Sequence, residues 1–158
     1  MALELTILVG TMTGTAELVA EEVRDALHEE GAKVEIRPMD ALDATVFDHP
    51  GPFLICTSTY GQGDIPDNGQ ALFASLETAR PDLSRVAYGV IALGDRTYAA
   101  TFCFGGKRFD ALLAGLGARR IGDVMLHDAS AGTIPEEVAV EWARDWIGQV
   151  RPERDEAA

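Results

Sequence analysis

Thr11, Thr13, Gly14 and Thr15 stand together in the stretch Val9-Gly10-Thr11-Met12-Thr13-Gly14-Thr15-Ala16-Glu17, between an apolar run and a helical pattern that begins at Ala16. Hydroxyls and first-turn amides at a strand-to-helix turn can surround an anion, and the helix dipole adds a favourable partial positive charge. Neither Lys nor Arg occurs from Met1 to Val23, so an anion held here is held by neutral donors. Gly10 and Gly14 match neither the Gly-Lys-Ser/Thr ending of a nucleoside-triphosphate loop nor the three-glycine spacing of a dinucleotide fingerprint. Alone, the stretch is equally well read as a helix start in which Thr13 or Thr15 is the N-cap and Gly14 eases the turn.

Two later stretches change the balance. Ser58-Thr59-Tyr60-Gly61-Gln62-Gly63-Asp64-Ile65-Pro66-Asp67-Asn68 puts an aromatic residue beside two glycines after an apolar run. A flat ligand could stack on Tyr60, and the Gly61 peptide, lacking a Cβ, can approach its edge and turn to offer a carbonyl or an amide. By itself Tyr60 is better explained as an amphipathic ring covering a sheet edge. Leu93-Gly94-Asp95-Arg96-Thr97-Tyr98 repeats the arrangement, with Phe102 and Cys103 further on. Two stacking platforms and an uncharged anion cradle together suit a ligand with a flat heteroaromatic ring and a terminal phosphate monoester.

Other chemistries find no support. His28, His49 and His127 are far apart in the chain and read as structural or exposed, and there is no Cys-x-x-Cys pair. Cys56 reads as a buried strand residue, and Cys103 lacks an activating neighbour, which leaves a redox role for it weakly supported. Trp142 and Trp146 share one helical face and read as core.

The elements that must position these loops follow from periodicity. Apolar runs at residues 3–9, 53–56 and 86–93 read as buried strands, 33–37 as a strand nearer the sheet edge closed by Pro38, and 120–126 as a fifth strand. Helical spacing covers 16–30, ended by Gly31, then 68–79, then the turn-spaced Phe109, Leu112, Leu113 and Leu116, ended by Gly117, and finally 135–150. Residues 40–48 read as a brief helix or turn, and 151–158 as a polar, frayed tail. Strands alternating with helices imply a five-stranded parallel sheet in a three-layer, doubly wound α/β sandwich, with one domain over residues 1–150. In such a sheet ligands bind beyond the C-terminal strand ends, where all three unusual loops project.

A net charge of −13 argues against nucleic acid or an anionic membrane as partner and favours docking to a basic face. Two isolated cysteines fit a reducing compartment, the N-terminus lacks the basic and long apolar segments of a signal peptide, and no apolar run approaches the roughly 20 residues of a membrane helix. A cytoplasmic protein is expected.

The three loops, in order and in register with the strands, resemble the flavodoxin-like family, over nearly the whole chain. The wording is most similar to short-chain MioC-type flavodoxins and to the FMN domains of diflavin reductases such as sulfite reductase flavoprotein. The resemblance implies FMN as cofactor, with Thr11, Met12, Thr13, Gly14, Thr15 and Ala16 around the phosphate. It implies Tyr60 on one face of the ring, Gly61 near N5 and Tyr98 on the other face. Thr59 and Gly63 would belong to the first ring loop, and Leu93, Gly94, Asp95, Phe102 and Cys103 would line the second. Asp128, after the fifth strand, is a further candidate near the ring. An electron carrier rather than a stand-alone enzyme is implied, fed by an NAD(P)H-dependent flavoprotein reductase, delivering to a redox enzyme and docking as a monomer through an acidic rim that includes Asp64, Asp67, Glu136 and Glu137. The alternative is a small FMN-dependent NAD(P)H or quinone oxidoreductase with its own substrate, and a module paired to a reductase is a further variant. A receiver-type signalling domain is disfavoured, because Thr11-Met12 and Thr57-Ser58 stand where receivers need acidic residues and no Lys follows Lys107.

Overall fold

The computed structural model describes residues 3–11, 14–40, 42–49, 51–59, 65–94 and 103–157, with 151–157 described by their backbone. Met12, Thr13, Tyr60, Gly61, Gly63, Asp64, Asp95, Tyr98 and Phe102, all named above as site or rim residues, lie outside the described residues.

β1 (Glu4–Gly10), β3 (Phe53–Thr57) and β4 (Ala87–Gly94) are buried along almost their whole length, as their continuous apolar runs require of strands covered on both faces. β2 (Lys33–Pro38) alternates exposed and half-buried residues and takes the edge position expected for it. The order is β2-β1-β3-β4-β5 and every pairing is parallel. From β1 the chain runs outward to β2, then crosses back to lay β3 on the other side of β1. The switch point therefore falls between β1 and β3, where Gly10 pairs with Thr57.

Helices cover both faces. α1 (Thr15–Glu29) and α4 (Pro135–Ala157) pack on one, where Val19, Val23 and Leu27 meet Ile7, Leu54, Trp146 and Ile147. α2 (Asp67–Ala79) and α3 (Phe104–Gly115) pack on the other, where Leu72, Leu76, Phe109 and Leu113 meet Leu8, Ile55 and Val90. Neighbours such as Ile7 and Leu8 go to opposite cores because successive strand side chains point to opposite faces. Each fully buried Leu, Ile or Val contributes about 1.5–3 kcal/mol of transfer free energy. Gly31 and Gly117 stop α1 and α3 with φ of 88° and 97°, and the following amides of Ala32 and Ala118 reach back to Leu27 and Leu113. Residues 44–48 form one 3-10 turn, capped by the Asp43 carboxylate, which accepts from the Thr45 amide.

Two expectations need correction. The fifth strand is two segments, β5 (Arg119–Arg120) and β6 (Met125–Asp128), both on the edge of β4 away from β3. Gly122, at φ 73°, turns the chain out of the ladder. The Ile121 carbonyl instead accepts from Trp146 Nε1 at 3.0 Å, and the Gly122 carbonyl accepts from Arg120 Nε at 2.9 Å. The last helix does not end at Val150, because its backbone stays helical to Ala157. Residues 153–157 are Glu, Arg, Asp, Glu and Ala, mostly good helix formers. Among the described residues no helix is long and apolar enough to cross a membrane.

Gly89 lets β4 approach α4 closely. A Cβ there would lie 2.5 Å from Trp146 Nε1 and 3.0 Å from Leu54 Cδ2, so a methyl group must push the indole off Ile121. Gly89→Ala is expected to lower stability by about 1–3 kcal/mol, read as a lower midpoint in urea unfolding followed by tryptophan fluorescence. An unchanged midpoint would show that Trp146 has room to move.

Candidate cofactor site

The C-terminal ends of β1, β3 and β4 lie side by side and release the three loops singled out by their composition. At the end of β1, a Cβ on Gly10 would sit 2.6 Å from Thr57 Oγ1 and 3.1 Å from Met39 Sδ, so only glycine lets these strand ends close up. Thr11 then starts a tight turn, its Oγ1 accepting from the Gly14 amide at 2.9 Å. Gly14 is the N-cap of α1 in the left-handed region, φ 92°, with nothing within 4 Å of a built Cβ. Glycine is favoured there by backbone conformation rather than by crowding. With no side chain at the N-cap position, Gly14 cannot itself cap the first amides of α1.

Of the predicted phosphate-loop residues, Thr15 is exposed at the start of α1. Ala16 is fully buried, with its carbonyl 3.4 Å from Cys56 Sγ, so its methyl belongs to the core and only its amide can serve a ligand. The Thr11 amide is already used, because it donates to Asn68 Oδ1 at 2.7 Å. What Thr11 can offer an anion is its O–H, which a hydroxyl retains while accepting from Gly14. Asn68, in the first turn of α2, also donates through Nδ2 to the Val9 carbonyl at 3.1 Å and to Asp40 Oδ2 at 3.2 Å. Periodicity places Asn68 at the end of a loop without giving it a role. The signal that could have found it is a polar amide directly after Pro66-Asp67, where the incoming chain passes close to the end of β1.

The second and third loops are also joined. Thr59 Oγ1 accepts from the Gly105 amide at 2.9 Å, which satisfies one of the first-turn donors of α3. A Cβ on Gly105 would fall 2.2 Å from the Ser58 carbonyl oxygen, so the contact requires glycine. Leu93 is buried, and Gly94 sits against Cys103, whose nitrogen would be 2.6 Å from a Cβ on Gly94. Cys103 itself is fully buried in the left-handed region, φ 56° and ψ 23°, a conformation that costs a side-chain-bearing residue about 1–2 kcal/mol. Its thiol lies 3.4 Å from the Ala92 carbonyl and 3.6 Å from that of His127.

Asp128 pairs with Gly94 across the sheet and so reaches the same pole. Its Oδ1 accepts from the Ser130 amide at 2.9 Å and from Ser130 Oγ at 2.7 Å, which makes it the cap of the next turn. His127 is buried with Nε2 2.9 Å from Thr133 Oγ1, in keeping with a structural role. His28 likewise serves structure, its Nε2 accepting from the Val34 amide at 3.3 Å. Among the described residues no three His, Cys, Asp or Glu side chains are placed to hold a metal ion.

The described part of the pole therefore fits a phosphate monoester: a hydroxyl-lined turn, a left-handed glycine and the start of a long helix, in a stretch without basic residues. The Flavodoxin family model matches residues 7–142. Flavodoxin YqcA of Pectobacterium carotovorum subsp. carotovorum is 40% identical over 147 residues, covering 93% of this chain and 97% of that protein. The sulfite reductase [NADPH] flavoprotein alpha-component of Vibrio parahaemolyticus is 36% identical over 149 residues, which are 94% of this chain and 23% of that protein. Among solved structures, a cysteine-to-alanine variant of flavodoxin from Pseudomonas aeruginosa superposes with a TM-score of 0.85 at 34% identity, covering 94% of this chain and 99% of that one. A doubly wound fold with its ligand pole at the β1/β3 switch point defines the class. The chain belongs to the flavodoxin family, and a flavin cofactor comes with that membership.

Cys56 supplies a test of how dry the floor of this pole is. It is fully buried in β3, and burial pushes its thiol from 9.0 up to about 12. Burial and the Asp110 carboxylate raise the Tyr88 phenol in the same direction. Both groups hold their protons longer folded than unfolded, so stability is complete below pH 9 and falls as pH rises toward 12. The urea midpoint is expected to be lower at about pH 11 than at about pH 8. Iodoacetamide at about pH 8 should leave Cys56 unmodified until the protein is unfolded. Rapid native labelling would show that the strand end is open to solvent.

Proposed function

We propose that the chain binds FMN and carries single electrons from an NAD(P)H-dependent flavoprotein reductase to a redox enzyme. The observation that carries this reading is the uncharged, hydroxyl-lined turn from Thr11 to Thr15 at the β1/β3 switch point, built for a terminal phosphate and lacking the glycine spacing a dinucleotide needs. Thr11, Thr13 and Thr15 donate hydroxyls, and Met12, Gly14 and Ala16 contribute main chain. Tyr60 and Tyr98 would enclose the ring, Gly61 would offer its peptide to the ring edge, and Leu93, Gly94, Asp95, Phe102 and Cys103 would form the second wall. Thr59 serves by holding Gly105, and Gly63 by letting the first ring loop turn.

The flavin supplies reversible one-electron chemistry when bound. The chain sets its energetics: two aromatic walls keep water from the ring, and a net charge of −13 with no cation in the phosphate loop opposes any added negative charge. The fully reduced state is therefore disfavoured and its couple low in potential. Asp67 at the start of α2 and Glu136 and Glu137 in the first turn of α4 give the pole an acidic rim for basic partners. The name of the Vibrio relative supports an NADPH-fed donor, and the free cysteines support a reducing, cytoplasmic setting.

Anaerobic titration with dithionite, followed by visible absorption, is expected to show flavin bands and then a long-wavelength band at half reduction from the one-electron state. Passage straight to the two-electron state would favour an enzyme with its own substrate, and a protein that cannot be loaded with FMN would overturn the cofactor. Partner docking gives a second measurement. Reduction by an NADPH-dependent flavoprotein reductase should slow several-fold between about 50 mM and about 500 mM salt, and indifference to salt would count against the acidic rim.

A further inference from the structure

We infer that Asn68 is the positioning residue of the phosphate loop, holding it in its binding conformation from the far side of the β1/β3 switch point. The inference rests on the proposed FMN reading and adds to it a role for Asn68, the last residue of the second stretch, to which the resemblance assigns none. Asn68 and Thr11 are 57 residues apart, yet one side-chain amide engages the chain on both sides of Gly10: Oδ1 accepts from the Thr11 amide at 2.7 Å and Nδ2 donates to the Val9 carbonyl at 3.1 Å.

The chemistry suits only a primary amide. A planar group that accepts on one side and donates on the other can satisfy an N–H and a C=O two residues apart, where a carboxylate or a hydroxyl serves one of them poorly. The anchor is firm, because Asn68 is in the first turn of α2 and the next residue, Gly69, donates to the Pro66 carbonyl at 2.8 Å while packing against Ile65 and Met39. Fixing Thr11 in turn fixes its hydroxyl, which accepts from Gly14 at 2.9 Å and so sets the left-handed corner from which α1 starts. With the Thr11 amide committed to Asn68, the O–H is the donor Thr11 retains for an anion. Thr11 and the corner at Gly14 are then held before the ligand arrives, so binding does not bear the entropy cost of placing them. The same residue ties the first loop to the helix that ends the second, so the phosphate and ring halves of the site share one support.

The test compares wild type with Asn68→Ala for FMN and for riboflavin, which lacks the phosphate, by fluorescence titration, together with hydrogen exchange at the Thr11 amide in the flavin-free protein. Expected in the variant are FMN binding weaker by about tenfold, riboflavin binding changed by less than about twofold, and Thr11 exchange faster by at least about tenfold. Asp40→Asn, which keeps both main-chain bonds of Asn68, should behave as wild type. If Asn68→Ala does not fold, Asn68→Ser carries the same comparison, its hydroxyl being too short to bridge Thr11 and Val9. Equal losses for FMN and riboflavin, or unchanged Thr11 exchange, would overturn the positioning role and leave the cofactor reading in place. A wild-type protein that binds neither flavin, with Thr11 exchange still faster in the variant, would overturn the cofactor reading instead.

Discussion

Two strands that are not consecutive in the chain, β1 and β3, pair from Thr6↔Phe53 to Gly10↔Thr57, and everything at the ligand pole depends on that contact. It makes the strand order reverse beside β1, so that no helix crosses directly between the two strand ends and a crevice is left there. It also demands glycine at position 10, since Thr57 and Met39 already fill the space a side chain would take. The Ser58 amide donates to the Gly10 carbonyl at 3.0 Å, carrying the pairing one step past the strand before the two loops part. Beyond that point order is maintained by cross-links between loops rather than by the sheet: Asn68 to Thr11, and Thr59 to Gly105.

The electrostatics of this pole run opposite to most phosphate sites. On the proposed reading, a dianion would be held in a protein of strongly negative net charge by groups that carry dipoles and no formal charge. Such a site binds through geometry, since partial charges act over one or two bond lengths and lose most of their effect when misaimed. Preorganisation then substitutes for Coulomb attraction, which is why a single uncharged side chain behind the loop carries weight. The same lack of cations means that charge added nearby finds no counter-ion in the loop, and on the proposed reading the loop would thereby contribute to tuning the cofactor.

The sequence made the frame legible for a physical reason. Buried parallel strands must be apolar throughout, and helices that cover them must show a 3.6-residue period, so residues 3–9, 53–56 and 86–93 and the helices after them could hardly be read otherwise. Gly31 and Gly117 were legible as helix ends because a left-handed C′ residue is nearly a glycine monopoly. The break in the fifth strand was not, since Ile121 and the run Val124-Met125-Leu126 flank Gly122-Asp123 with apolar residues and what decides the matter is a tryptophan from α4 taking the Ile121 carbonyl. Nor was the role of Asn68 legible, because it depends on a contact 57 residues away that no local pattern encodes. Residue type marks the stretch from Thr11 to Ala16 as a candidate cradle, but the commitment of the Thr11 amide to Asn68 is a property of the fold alone.

The gap between β5 and β6 has a consequence for how such chains can grow. The last bond to β4 before the gap is the Ile121 amide donating to the Tyr88 carbonyl at 2.8 Å, pairing resumes at Met125, and Asp123 between them is exposed. Residues added between Gly122 and Asp123 would disrupt no strand pairing and displace no core side chain, since Ile121 and Met125 are anchored on either side. Their entropic cost rises only logarithmically, by about 0.6 kcal/mol for each doubling of loop length. The interruption is thus a joint, opposite the middle of β4, at which chain can be added while the sheet and both cores stay as they are.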